Sequence, residues 1–181
     1  RLDGRLVGDT DDNAVKRPWL AVSESNPESP LKAEFNQLEH DDGAKPYDWI
    51  YTGVGGGPWL IKDGSVQSDD INECKGLDLH SCASYVAQTA VGVSQDKNFL
   101  YYVAAKGQNA KGIAEFMQQQ LHLWQAIKLD GGGSTQLWYA SLEKPFVLTG
   151  DGRPLTNYLA VIAEPGSGIV LPPEPAPEPV P

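Results

Sequence analysis

Asp130 closes the short apolar run Ile127-Lys128-Leu129, and Gly131, Gly132, Gly133, Ser134 and Thr135 follow at once. Glycine has no Cβ, so backbone N–H groups in such a run can approach a ligand closely and take positive φ. A carboxylate beside exposed amide donors and two hydroxyls suits acid–base work on an oxygen-rich substrate. A tight strand-to-loop turn with Asp130 as its polar residue produces the same local pattern. Gly55, Gly56 and Gly57, ahead of Pro58, form a second glycine loop that offers further backbone donors. Downstream, Arg153 is a candidate cation and Asn157 a candidate polar contact, although an arginine in a turn also serves as a solvated ion-pair residue and Asn157 can satisfy backbone groups beside Pro154. Lys128 is expected to point away from Asp130 along the strand. His40, His80 and His122 read as surface residues, and no local signature suggests a Ser–His–Asp arrangement.

These residues need elements to position them. Ala110 to Trp124 reads as a helix, with Ile113, Phe116, Met117, Leu121 and Trp124 forming one apolar stripe opposite Lys111, Glu115, Gln118, Gln119 and His122. Strands are expected at Trp49–Thr52, Trp59–Ile61, Gln88–Val93, Phe99–Ala104, Ala126–Leu129, Gln136–Ala140, Pro145–Leu148 and about Tyr158–Ala163. Lys62-Asp63-Gly64-Ser65 is a hairpin turn of the Asp-Gly type. Residues 67–84 form a polar excursion. The expected fold is α/β (α+β), a mixed twisted sheet with one clear amphipathic helix packed on it. Residues 1–46 form an irregular, short-strand N-terminal part, 47–165 the main domain, and 166–181 a Pro-rich, polyproline-like spacer. The aromatics Trp49, Tyr51, Trp59, Trp138 and Tyr139 are expected to be mostly core, with one or two near the glycine loops free to stack on a sugar ring.

The bulk composition narrows the function. The 181 residues suffice for one domain with a true core. A net charge of −10 with no basic stripe excludes nucleic acid as an expected partner, and no apolar run approaches a membrane span. Cys74 and Cys82 have seven residues between them, and a disulfide is the favoured reading over two free thiols. That pairing in acidic, Pro-rich surroundings points to an extracellular or periplasmic location. The chain opens at Arg1 without a methionine, as expected of a processed or truncated product. The Asp9, Asp11, Asp12 and Asn13 cluster lacks a complete oxygen-ligand loop and reads as a solvated turn, so no metal and no cofactor is expected.

Several motifs occur in order: Gly55-Gly56-Gly57-Pro58-Trp59-Leu60-Ile61-Lys62-Asp63-Gly64, Gln88-Thr89-Ala90-Val91-Gly92-Val93, Lys128-Leu129-Asp130-Gly131-Gly132-Gly133-Ser134-Thr135, and Gly152-Arg153-Pro154-Leu155-Thr156-Asn157. Over about residues 50–163 this order resembles the phosphodiester glycosidase family, which includes the mannose-6-phosphate uncovering enzyme and bacterial exopolysaccharide-associated proteins. The resemblance implies an α/β domain that hydrolyses a sugar-1-phosphodiester in a glycan or surface polysaccharide. The positions that carry over are Asp130 with Gly131 to Ser134, Arg153, Asn157, Thr89 and the glycines 55–57. The family commonly has Arg at the position of Gln88, and a neutral amide cannot replace that charge. The Asn-Gly-Gly-Phe-like element near the start of family domains is not found in this chain, so a second polypeptide that supplies it is one expectation.

The chemistry expected on this basis gives Asp130 the role of base or nucleophile at the anomeric carbon. Asn157, Thr89, Ser134, Thr135 and the amides of the two glycine loops hold the phosphate, with Arg153 supplying charge and Gln88 beside them. Asp63, Asp151 or Glu143 would supply a second carboxylate, as glycoside hydrolysis commonly requires. A non-catalytic saccharide-binding relative and a structural part of an extracellular assembly are the alternatives, and the fold alone does not choose among them.

Overall fold

The computed structural model describes residues 18–24, 32–37, 49–74, 79–139, 146–155 and 158–161. In chain order, β1 (Pro18–Ser23), β2 (Ala33–Gln37) and β3 (Ile50–Gly55) form a three-stranded sheet in the order β2-β1-β3. Next come β4 (Trp59–Lys62), β5 (Ser65–Val66), α1 (Ser68–Glu73), α2 (Leu79–Ala83), β6 (Val86–Ser94), β7 (Leu100–Gln108), α3 (Ala110–Gln119) and β8 (Leu123–Lys128). Their strands build a five-stranded sheet in the order β5-β4-β8-β6-β7. A 3-10 turn at Gly132–Ser134 leads into the hairpin of β9 (Gln136–Tyr139) and β10 (Phe146–Thr149). Every pairing among the described strands is antiparallel. The α+β class expected from the sequence is the one observed.

Strand alternation explains the layering. Successive side chains of a strand face opposite sides of its sheet. Ala90, Tyr101, Val103 and Ala126 therefore pack with Ile71, Ile113, Ala114 and Met117 of the helices. On the other face Val91, Val93, Leu100, Tyr102 and Ile127 pack with Leu20, Val22 and Phe35 of the small sheet. The five-stranded sheet is thus covered on both sides, and β6 and β8 at its centre read as nearly continuous apolar runs for that reason. β1 pairs with β3, which joins the N-terminal part and the main domain through one sheet.

The helix is shorter than its periodicity suggests. Asn109 caps α3 by accepting a hydrogen bond from Gly112 N–H at 2.8 Å, and Ala110, Ile113, Ala114 and Met117 are buried. Full burial of a side chain the size of Ile113 or Met117 contributes roughly 1.5–3 kcal/mol. Phe116, placed in the apolar stripe by sequence, is 47% exposed. The chain leaves the helix after Gln119, and His122 takes a φ of 53°. Trp124 then belongs to β8, where the sheet overrides the helical period. The Asp-Gly hairpin is present between β4 and β5, with Asp63 at φ 50° and Gly64 at φ 76°. Tyr158 to Val161 form no strand pairing, which corrects the final expected strand over its described part. Of the aromatics expected in the core, Trp59 is buried, whereas Trp138 is 70% and Tyr139 is 53% exposed. The spacer at 166–181 and the acidic cluster at 9–13 lie outside the described residues.

The excursion at 67–84 contains two short helices, α1 and α2, joined by the disulfide Cys74–Cys82 with its Cα atoms 5.7 Å apart. Both sulfur-bearing residues are buried in the helix-side core, so the cysteines are interior rather than part of a polar loop. Cross-linking eight positions apart removes loop-closure entropy from the unfolded chain, worth roughly 2–3 kcal/mol. Replacing both cysteines with alanine, which keeps the site apolar, is expected to lower unfolding free energy by about that amount. Urea unfolding checks this; an unchanged midpoint at equal slope contradicts it.

Candidate active site

The carboxylate-bearing loop is placed by the central strand pair. Ala90 of β6 lies opposite Lys128 of β8, and Leu129 N–H donates to the Thr89 carbonyl at 2.8 Å. Asp130 is exposed just past the end of β8, and one of its oxygens accepts the Gly131 N–H at 2.8 Å. It opens onto a cavity of about 250 Å³ lined by His80, Ser84, Val86, Lys128, Asp130, Gly131 and Gly132. Pockets for drug-sized ligands span on the order of 300–1,000 Å³, so this cavity suits a single sugar-sized group. α2 and the segment after it supply one wall, and the disulfide ties that wall to the core.

Lys128 is the residue that sequence reasoning turned the wrong way. Its side chain is 1% exposed, lines the cavity with Asp130, and donates to the Leu129 carbonyl at 3.0 Å. Residues two apart along extended chain share a face, and that parity was the signal available in the sequence. Burial pulls the Lys128 ammonium below the ordinary lysine range, and the charge of Asp130 opposes that fall. Gln88 is fully buried and its Nε2 donates to the Ser84 carbonyl at 3.3 Å. A Cβ built on Gly131 would lie 3.3 Å from Lys128 Nζ and 3.4 Å from Gln88 Oε1, so both polar heads meet beneath this glycine. His80, read from the sequence as a surface residue, is exposed and lines the cavity, as does Ser84, which the sequence did not single out.

The remaining expected donors hold the loop together. Thr89 Oγ1 donates to Thr135 Oγ1 at 3.1 Å, and Thr135 is fully buried. Ser134 N–H donates to the Gly131 carbonyl at 3.2 Å within the 3-10 turn. Gly56 N–H donates to the Pro18 carbonyl at 3.0 Å and Gly57 N–H to the Lys128 carbonyl at 2.7 Å. These two amides are committed to backbone partners, so the loop at Gly55, Gly56 and Gly57 braces the end of β8 and does not offer them to a ligand. Arg153 makes a bidentate pair with Asp151: its Nε donates to Oδ1 at 3.1 Å and its Nη2 to Oδ2 at 2.5 Å. This pair lies directly on Gly133, where any Cβ would collide with Arg153 Nη2 and Asp151 Oδ2. A Cβ on Gly150 would collide with the Gly132 carbonyl oxygen just as closely, which explains why side-chain-free residues occupy both loops. Arg153 borders the glycine loop on the side of Gly133 and does not line the cavity, although the charge of Asp130 reaches it weakly. Asn157 lies outside the described residues. Among the described residues no three His, Cys, Asp or Glu side chains gather to hold a metal ion.

Comparisons with known proteins bear on the family and the fold. A family model described as phosphodiester glycosidase matches residues 3–162, a longer stretch than the motifs alone delimit. The catalytic domain of zebrafish N-acetylglucosamine-1-phosphodiester alpha-N-acetylglucosaminidase, solved in a form auto-inhibited by its pro-peptide, is similar with a TM-score of 0.52 and 21% identity. That match covers 67% of this chain and 41% of the zebrafish chain, and at this identity it speaks for the fold. A hypothetical protein from Synechocystis matches with a TM-score of 0.41 at 16% identity, over 68% of this chain and 29% of the other. No curated protein matches. With the family model spanning all of the described strands and the Asp130 loop, the chain belongs to the phosphodiester glycosidase family.

Proposed function

We propose that this chain is an exported glycosidase that hydrolyses a sugar-1-phosphodiester of a glycan or surface polysaccharide. The observation that supports the reading best is the exposed Asp130, which lines a sugar-sized cavity together with Lys128, His80 and Ser84. Acting as base, Asp130 takes a proton from water as the hydroxyl adds to the anomeric carbon. The bond from that carbon to the phosphate oxygen breaks, and its electron pair leaves with the phosphate. A phosphomonoester anion is a weak base and a good leaving group, so the step needs little help from a general acid. This removes the need for a second carboxylate. Among the described residues none lines the cavity: Asp63 sits in the β4–β5 turn and Asp151 is held by Arg153. Glu143 lies outside the described residues.

An exported location is supported by the Cys74–Cys82 disulfide, which persists in oxidising compartments. No described helix is long and apolar enough to cross a membrane. The alternative reading, a non-catalytic saccharide-binding or structural relative, draws on one observation: Arg153 is engaged by Asp151.

Two expectations separate these readings. Asp130→Asn is expected to lower turnover of a sugar-1-phosphodiester by at least about 100-fold, the ordinary scale of a lost general base. Undiminished turnover removes Asp130 from the chemistry, and a native chain inactive on a panel of such diesters leaves the binding reading. Arg153→Ala is expected to cost no more than about fivefold, because an exposed pair contributes little. The Arg153 guanidinium holds the Asp151 carboxyl down to about 2, from the ordinary 3.8. A depressed carboxyl stabilises its pair above 3.8 and loses it as the pH falls through 2. The Arg153→Ala effect is therefore expected to stay constant across the neutral and mildly acidic range; a pH profile of the variant-to-native rate ratio checks it, and a ratio that changes near neutrality contradicts it.

A further inference from the structure

Resting on the reading of the cavity as a sugar-phosphate site, we propose that Lys128 is the cation that receives the phosphodiester, in direct contact with its non-bridging oxygens. Three observations carry this. Lys128 is almost completely buried, yet it lines the cavity with Asp130, and a Cβ built on Gly131, another lining residue, would lie 3.3 Å from its Nζ. Its hydrogen bond goes to the carbonyl of Leu129, a neutral acceptor that does not balance its charge. Asp130 acts on it through space, and among the described residues no carboxylate forms an ion pair with it. Holding a charge out of water is costly unless an opposite charge arrives to meet it. An anion entering the cavity supplies that partner.

The surroundings favour this lysine over the other cations. With 24 acidic against 14 basic side chains the protein carries a net charge of −10, so its overall field does not draw an anionic ligand inward. A local cation is required. Arg153 is bound to Asp151 and lies outside the cavity, and Gln88, whose head group reaches the same point beneath Gly131 as Lys128 Nζ, is neutral. The β6–β8 register therefore leaves the charge of the site to the strand that carries Asp130. One lysine matches the single charge of a phosphodiester. As the bond to the anomeric carbon breaks, the departing phosphate gains a second negative charge, and the same ammonium is then worth more than in the bound substrate.

The test measures binding in an Asp130→Asn background, where turnover is suppressed. The probes are the methyl phosphodiester of N-acetylglucosamine 1-phosphate and the uncharged methyl glycoside of the same sugar, titrated by calorimetry. With Lys128 present the diester is expected to bind about 10–150-fold more tightly than the glycoside, the scale of a hydrogen bond to a charged group. Lys128→Met, close in shape, is expected to erase that preference and leave glycoside binding unchanged. Adding Gln88→Arg to Lys128→Met is expected to restore it, because a guanidinium there returns charge to the same point beneath Gly131. Equal binding of the two probes by the Lys128-containing chain overturns the proposal, and this comparison needs no change at the buried position. A preference that survives Lys128→Met, in protein with a native near-ultraviolet circular dichroism spectrum, overturns it too. Because nothing in this test depends on turnover, an inactive native enzyme would remove the hydrolytic reading while leaving the assignment of Lys128 to be decided here.

Discussion

The Leu129 N–H to Thr89 carbonyl hydrogen bond holds the last residues of β8 in register with β6, and the site depends on that register. A slip of one residue would turn Lys128 toward the small sheet and present Leu129 to the cavity, because side chains alternate along a strand. Burial on both faces of the sheet makes such a slip costly: Ile127 belongs to one core and Ala126 to the other. The apolar sequence of β8 is thus a positioning device. It delivers one carboxylate and one ammonium, two residues apart, to the same end of the sheet.

Three separate contacts then fix what surrounds that pair. The disulfide ties α2 to the helix-side core and so places His80 and Ser84. The Thr89–Thr135 hydroxyl contact anchors the far end of the glycine loop to β6. The Asp151–Arg153 pair, carried by the turn after β10, seats on Gly133. The glycines allow two loops to approach within distances that any Cβ would forbid. Most of the polar residues in the motifs thus serve loop geometry, and few of them line the cavity. That division is consistent with preorganisation, in which the reacting groups are held before the substrate arrives.

Much of this was legible in the sequence, for identifiable reasons. The strands β4, β6, β7, β8, β9 and β10 follow from alternating or continuous apolar runs bounded by turns, and the Asp63-Gly64 hairpin from its turn chemistry. The disulfide pairing was legible from spacing. Asp130 was marked by the abrupt change from apolar run to glycines. What failed depended on tertiary context. Trp124 continued the helical period, but the chain turns at His122 and the sheet claims it. Cys74 and Cys82 lie in polar sequence, yet the helices fold them inward. Trp138 and Tyr139 look like core residues and stand exposed on β9, which among the described strands pairs with β10 alone. Lys128 was misjudged although its parity with Asp130 was visible; His80 is exposed, as its surface reading expects, but nothing local reveals that it lines the cavity.

The electrostatic picture is of a strongly acidic protein with one buried cation beside one exposed carboxylate at a small cavity. A structure of the Asp130→Asn protein soaked with a sugar-1-phosphodiester tests that picture most directly. The account predicts a phosphate oxygen about 2.7–2.9 Å from Lys128 Nζ, the spacing of a charge-assisted hydrogen bond, with the anomeric carbon facing residue 130. A ligand bound with its phosphate on Arg153, or with its sugar outside the cavity between α2 and β8, would contradict it.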